Sequence, residues 1–576
     1  MAPDPLSRAI RAHQAGDLAA AMRIYDEILR NDPDHADALH LSGLISFQTG
    51  RMDEAAGLIE KAVGIDGTQA TYHANLGRVF QASGRSEDAV RSYGRAIDLQ
   101  PGTAVLHSDR AAALISLDRY DEARNDCDRA LALDAGFAKA HLNLGLVHLN
   151  GGAGGEAIKS LEKAVQLAPG DGFAQFHCGV ALQAAARSAD AAACYRCAIE
   201  IDPQHAEARC NLGNILKDNG DFAAAEAEYR AAITINPAIA EVHSNLGVVL
   251  HELADQEGAL GCFDRALELA PDDAEIHRNR AVILLSMGRF AEGWRENDWR
   301  WKTKHFAVLK RDLGVPQWGG DELSGRTILI RAEQGYGDTL QFMRYLPLVS
   351  ARGGDIVFEC PPELAELARG LVDPGRVVAD ASRMTDIDCH APLLSLPGIF
   401  ATDLSNIPAD IPYLNADCSS PLETQNLRVG IAWRGSSAFK RDRIRSVGLE
   451  VLRGLFDMPG VSFVSLQKDG GPADLAEFGL TGVVRDDTAS WRDFSQTAAV
   501  VSGLDLVIAP DTAIIHLAGA MGKPVWAMLP YVADWRWMAD RDDSPWYPTL
   551  RLFRQQSPGD WTGVVRRVRE ELAVFS

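Results

Sequence analysis

The sequence predicts an α-helical solenoid over its first half, followed by two α/β domains. Three observations carry that expectation. A small residue recurs every 34 positions from Ala9 to Ala281. No tryptophan occurs before Trp294, and all 11 lie at residue 294 or later. Beyond residue 326, short apolar runs rich in β-branched residues alternate with helical patterns, the signature of parallel sheets covered on both faces.

The repeat comes first. Gly or Ala stands at Ala9, Gly43, Gly77, Ala111, Gly145, Gly179, Gly213, Gly247 and Ala281. A second small series runs through Ala21, Ala55, Ala89, Ala123, Ala157, Ala191, Ala225, Ala259 and Gly293. The spacing implies a helix–turn–helix unit whose small residues let paired helices approach. Larger residues such as Tyr93, Leu161, Tyr195, Tyr229 and Phe263 are expected to fill the space between units. Pro33, Pro101, Pro169, Pro203, Pro237 and Pro271 close units because proline cannot continue a helix. This pattern resembles the tetratricopeptide repeat, in about nine units with the first and last degenerate. Such arrays form a superhelix whose concave face binds proteins.

Two residues before the small position lie Asn75, Asn143, Asn211, Asn245 and Asn279, a series broken by Leu41, Asp109 and His177. Two helical positions are about 200° apart, so these amides are expected to point away from the packed seam. A row of them is suited to hold an extended peptide by its backbone. The row resembles the asparagine ladder of eukaryotic protein O-linked N-acetylglucosamine transferases. The alternative is asparagine of ordinary repeats.

The repeats give way at GRFAEGWRENDWRWKTKHF, placing residues 1–301 in the repeat superhelix and 302–325 in a Gly/Pro-containing connector. Strands are expected at 326–332, 354–360, 427–433, 461–467, 504–510 and 523–529. They form two Rossmann-like domains, 326–420 and 427–576, which face a cleft with ligands at the strand carboxyl ends.

Three motifs sit at such ends. In EQGYGD, Gly335 and Gly337 let a substrate approach the backbone, and Asp338 stands at the start of a helix expected from Thr339. The third glycine of a dinucleotide fingerprint and the Lys-Ser/Thr of a P-loop are missing. Helix capping by Asp338 is the plainer reading. In APDTAIIHLAGAMGKPVW, Asp511 and Thr512 open a helix carrying His516. Its N-terminal amides suit a diphosphate, and Asp511 suits sugar hydroxyls. Simple capping with a surface histidine is the alternative. In AWRGSSAFKRDRIRS, Arg434, Lys440, Arg441, Arg443 and Arg445 gather positive charge, either to neutralise a diphosphate or as a solvated loop. The stretch DWRWMADRDDSPWY at 534–547 offers aromatic faces for a sugar or base, or packs the domain.

Composition narrows the partners. A formal net charge of −22 over 576 residues argues against general binding to nucleic acid or anionic membrane. No apolar run is long enough to span a bilayer, and MAPDPLSRAIRAHQAGD lacks the apolar core of a signal peptide. Nine cysteines without a disulfide-like framework suit a reduced compartment. Cys194 and Cys197 lack a second pair for zinc and are read as core packing. The expected location is cytoplasmic.

Together GDTLQFMRYLP, the basic loop and PDTAIIHLAGAMGKPVW resemble bacterial heptosyltransferase-like glycosyltransferases of family 9, with the GT-B fold. With the repeats, the chain resembles bacterial tetratricopeptide–glycosyltransferase fusions, some of which glycosylate flagellin. The resemblance implies an inverting transfer from a nucleotide sugar, with no metal and no cofactor beyond that donor. It places the catalytic base at Asp338 and the acceptor turn at Gln334, Gly335 and Gly337. Arg434, Lys440, Asp511, Thr512 and His516 fall in the donor site. Ala513 departs from a Gly found there in several heptosyltransferases, and the first α/β block is short. The expected acceptor is a protein Ser or Thr hydroxyl recruited by the repeats, with flagellin as one specific candidate. The alternatives are transfer to lipopolysaccharide or capsule, and a scaffold that has lost activity.

Overall fold

The computed structural model describes residues 4–417, 424–436 and 442–575. The chain divides into two compact units, Met1–Pro237 and Ala238–Ser576.

In the first unit, fourteen helices among the described residues run from Pro5–Gln14 to Phe222–Ile235 and pack as seven antiparallel hairpins. The 34-residue period has a steric cause. A Cβ on Gly77 would lie 2.8 Å from the Tyr93 ring, one on Gly179 2.6 Å from Tyr195, and one on Gly213 2.7 Å from Tyr229. Gly145 faces Leu161 in the same way, at 2.5 Å. The large residue therefore packs on the glycine sixteen positions earlier, within its own hairpin and not between units as the sequence suggested. Each proline follows a helix end by two residues. The intervening residue is extended, as at Asp32 (φ −140°, ψ 89°) and Asp202 (φ −125°, ψ 94°), because a following proline disfavours helical backbone.

The asparagine row is corrected in part. Asn143 is buried, and its Nδ2 donates to the Ser108 carbonyl (2.8 Å) and Oγ (3.1 Å). Asn75 Nδ2 meets His40 Nε2 at 2.9 Å, and Asn211 Nδ2 donates to Tyr195 Oη at 3.3 Å. These amides face neighbouring helices, so here the row ties hairpins together. The 200° argument treats one helix alone and does not see the preceding hairpin, 35 positions earlier for Asn75 and Asn143 and 16 for Asn211.

The second unit begins with two more hairpins, Ala240–Glu252 with Gln256–Leu269 and Ala274–Ser286 with Phe290–Asn297. Two wholly parallel sheets follow. The first comprises β1 (Thr327–Arg331), β2 (Asp355–Glu359), β3 (Val377–Val378) and β4 (Cys389–Pro392), in the order β3-β2-β1-β4. The second comprises β5 (Leu427–Ile431), β6 (Val461–Ser465), β7 (Val484–Arg485), β8 (Leu506–Pro510), β9 (Val525–Leu529) and β10 (Leu550–Arg554). Its order is β10-β9-β8-β5-β6-β7. Read from its own first strand, the second sheet has the doubly wound order 3-2-1-4-5-6 and the first sheet the same order cut to four strands. β8 and β9 are buried along their whole length, as expected of strands covered on both faces.

One apolar core joins these parts. It runs from Leu285, Phe290 and Trp294 of the last hairpin through β1 into β8 and β9. Trp294 donates its indole N–H to the Thr402 carbonyl (2.9 Å) and meets Trp535 edge to face at 5.4 Å. The onset of tryptophan at residue 294 therefore marks where the last hairpin enters the core of the α/β part.

Candidate active site

In doubly wound sheets, ligands bind beyond the strand carboxyl ends, at the point where strand order reverses. Here those points lie between β1 and β4 and between β5 and β8. Segments following β1, β4, β5 and β8 open on one cavity of about 1020 Å³.

After β1, the chain turns through Glu333 and Gln334 into helix α1 (Tyr336–Phe342), with Gly335 as its N-cap. The helix starts three residues earlier than the sequence suggested, so Gly337 lies inside it. A Cβ there would come within 3.0 Å of His516 Cδ2, so glycine allows the close approach. Asp338 Oδ2 accepts the Gly335 N–H at 3.1 Å. Its other oxygen binds Arg536. Asp338 thus both caps α1 and lines the cavity, with its side chain 22% exposed.

After β8 come Asp511, Thr512 and helix α2 (Ala513–Ala520), with Thr512 as N-cap. Thr512 Oγ1 is buried with no hydrogen-bond partner among the described residues. A buried hydroxyl without a partner carries a desolvation cost, and here it stands at a helix N-terminus beside the cavity. His516, read as a surface residue in the capping alternative, is buried. Its Nδ1 lies 3.0 Å from Tyr547 Oη, and its ring stacks on Trp537. Burial, with Arg536 and Arg344 nearby, holds its pKa well below the usual range, so its imidazole is neutral. Arg344 is itself buried. It donates to the carbonyls of Gln341 (2.9 Å), Pro408 (3.1 Å) and Trp546 (2.7 Å).

Arg536 links these elements. It binds Asp338, donates to Gln341 Oε1 at 2.5 Å and pairs with Asp534 at 2.7 Å. Three carboxylates, Asp534, Asp338 and Asp511, act on this one guanidinium. Burial pushes the Asp338 carboxyl above its ordinary value, against the pull of Arg536 and with the help of Asp534. Burial and then the Asp534 charge push Asp511 up to about 6.

That shift sets a pH dependence. An unfolded aspartate ionises from about pH 4, whereas folded Asp511 keeps its proton to about 6. The folded state binds the extra proton in that window, so stability falls as pH rises through it. Asp511→Asn is expected to gain about 1–3 kcal/mol relative to wild type between pH 4 and pH 7. Urea titrations followed by tryptophan fluorescence check this, since every tryptophan lies at 294 or later and reports this unit alone. A constant difference across that range contradicts it.

Arg434 and Arg445 reach the cavity; Arg443 does not line it. Arg434 pairs with Asp474 at 2.9 Å, and Arg445 donates to the Asp511 carbonyl at 2.9 Å. Lys440 and Arg441 lie outside the described residues. In the aromatic stretch, Trp537, Trp546 and Tyr547 are fully buried packing residues, while Trp535 lines the cavity. Asn245 and Asn279 do not line it. Sequence reasoning missed Arg536, which sits in a segment read for its aromatics. It also missed Glu333, whose Oε1 accepts from Arg300 at 3.0 Å. The one available signal was an arginine between two tryptophans.

Residues 6–70, 75–136, 108–172, 194–227 and 240–273 match families described as tetratricopeptide repeat, and 213–254 one described as TPR repeat. Residues 489–537 match Glycosyltransferase family 9 (heptosyltransferase). That span holds Asp511, Thr512, His516 and Arg536 but not Asp338 or Arg434. Protein FlbA of Caulobacter vibrioides is 27% identical over 325 residues, 51% of this chain and 54% of that protein. The chain therefore spans about half the length of this curated relative. Two solved structures are similar to parts of the chain. One is YrrB, a TPR protein with an unusual peptide-binding site, at 26% identity, 33% of this chain, 97% of that chain and TM-score 0.30. The other is pilF of Pseudomonas aeruginosa, at 23%, 36%, 94% and 0.33. Among the described residues, no helix is long and apolar enough to cross a membrane. The chain joins tetratricopeptide repeats to a glycosyltransferase family 9 (heptosyltransferase) region.

Proposed function

We propose that this chain is a cytoplasmic, inverting glycosyltransferase. It moves a sugar from a nucleotide sugar to a Ser or Thr hydroxyl of a protein recruited by the repeats, with flagellin as one candidate. The observation that carries the reading is the single cavity shared by both switch points. Asp338 stands at one, the unpartnered Thr512 hydroxyl and the α2 N-terminus stand at the other, and Arg536 joins them.

In this reading the donor diphosphate lies at the α2 N-terminus, where free amides and the helix dipole favour negative charge. Arg434 and Arg445 meet its charge, so no metal is required. The acceptor oxygen attacks the anomeric carbon as the bond to the diphosphate oxygen breaks. The hydroxyl proton passes to Asp338, and the nucleoside diphosphate leaves. A carboxyl raised by burial is a stronger base than an exposed one, which suits this role. A second reading, transfer to a surface glycan, draws support from the heptosyltransferase description of the matched family.

Calorimetric titration with a panel of nucleotide sugars tests the donor site. One member is expected to bind, and Thr512→Val is expected to weaken it about 5–10-fold, the worth of one hydrogen bond. A wild-type protein that binds no nucleotide sugar overturns the proposal.

A further inference from the structure

The α/β elements do not account for the whole cavity. Arg278, Asn297, Arg300 and His305 also line it, and they come from the last helical hairpin and the segment after it. The volume of about 1020 Å³ is at the upper end of the usual 300–1,000 Å³ for small-ligand sites. It therefore leaves room for a second substrate beside a donor.

The charge on this wall is uneven. Glu296 is engaged by Arg280 at 2.9 Å and by His277. Asp298 and Glu333 are both held by Arg300, at 3.1 and 3.0 Å. Among the described residues, Arg278 pairs only with Glu275, at 3.6 Å, with the two side chains 44% and 54% exposed. Such a pair contributes little in water. Arg278 thus offers the cavity a cation whose charge its neighbours leave largely uncompensated, with His305 exposed beside the same space. The Asn297 amide has no hydrogen-bond partner among the described residues. It carries both a donor and an acceptor, as a peptide backbone does.

We propose that this wall docks the acceptor, and that it selects a protein segment with a carboxylate side chain close to the Ser or Thr that receives the sugar. The inference rests on the transfer reading above. Arg278 pairs with the carboxylate and Asn297 holds the backbone beside it. The last hairpin is then part of the substrate site as well as the end of the repeat array.

The test uses the full chain, its selected nucleotide sugar and two matched peptide sets. Each peptide bears one Ser or Thr, flanked within three residues by Glu in one set and by Lys in the other. Wild type is expected to favour the Glu set about 5-fold in kcat/KM, the scale of one partly exposed ion pair. Arg278→Glu is expected to reverse the preference, and Arg278→Lys to keep its direction. Reversal of preference is a readout that loss of folding does not produce. Equal use of both sets by wild type, or an unchanged preference in Arg278→Glu, overturns this inference alone. Binding of a nucleotide sugar with no peptide labelled overturns the protein-acceptor reading, and this inference with it.

Discussion

Asp338→Asn is expected to lower kcat by about 10²–10⁴-fold, the usual worth of a positioned base. The substitution is nearly isosteric. Its amide oxygen is still able to accept the Gly335 N–H that caps α1, so the helix and the cavity wall are retained. Donor affinity changes little, and kcat and kcat/KM fall together, as they do when an interaction is made in the transition state alone. Single-turnover kinetics with the selected donor checks this. A variant that turns over at the wild-type rate assigns Asp338 to capping alone.

Arg536→Met has a different signature. It removes the partner shared by Asp338, Gln341 and Asp534 and leaves partly buried carboxylates uncompensated. Breaking a buried pair costs about 3–5 kcal/mol. Asp534 is 37% exposed, so about 2–4 kcal/mol is expected for this unit after screening. The Asp338 carboxyl also loses the charge that pulls its pKa down. The acid limb of the pH–rate profile should therefore move to higher pH in Arg536→Met. Arg536→Lys keeps the charge but not the planar fork that reaches three partners, and is expected to fall between the two. Urea denaturation by tryptophan fluorescence and the pH profile read these effects separately. An unmoved acid limb contradicts the link between Arg536 and Asp338.

The parts of the fold that were legible in the sequence are those whose cause is local. Gly77 and Tyr93 are sixteen residues apart and recur in register, so the hairpin announces itself. β1, β2, β5, β6, β8 and β9 are apolar runs with turns beside them. Val377–Val378 and Val484–Arg485 are two-residue edges, and Cys389–Pro392 mixes histidine and proline, so none carries a strand pattern. Leu550–Arg554 is a short run interrupted by Arg551 and closed by Arg554, neither strictly alternating nor continuously apolar, so it carries no clear strand pattern.

The candidate site divides the same way. Asp338, Thr512 and Arg434 follow strands, so a strand-then-turn reading finds them. Arg536 binds a residue 198 positions away, and nothing near it in sequence reports that. The asparagine row failed at Asn143 for the same reason, since Ser108 belongs to the preceding hairpin. Helix geometry says which side a residue occupies, not what has been packed there.

The proposed role of Asp338 is to enable sugar transfer to a protein. The most direct measurement is intact-mass analysis of secreted and cytoplasmic proteins from the native host in three strains: wild type, gene-deleted, and complemented with Asp338→Asn. At least one protein is expected to lose a sugar-sized mass on deletion and to stay unmodified in the complemented strain. Full restoration of every modified mass by Asp338→Asn, or no change in any protein mass on deletion, contradicts it.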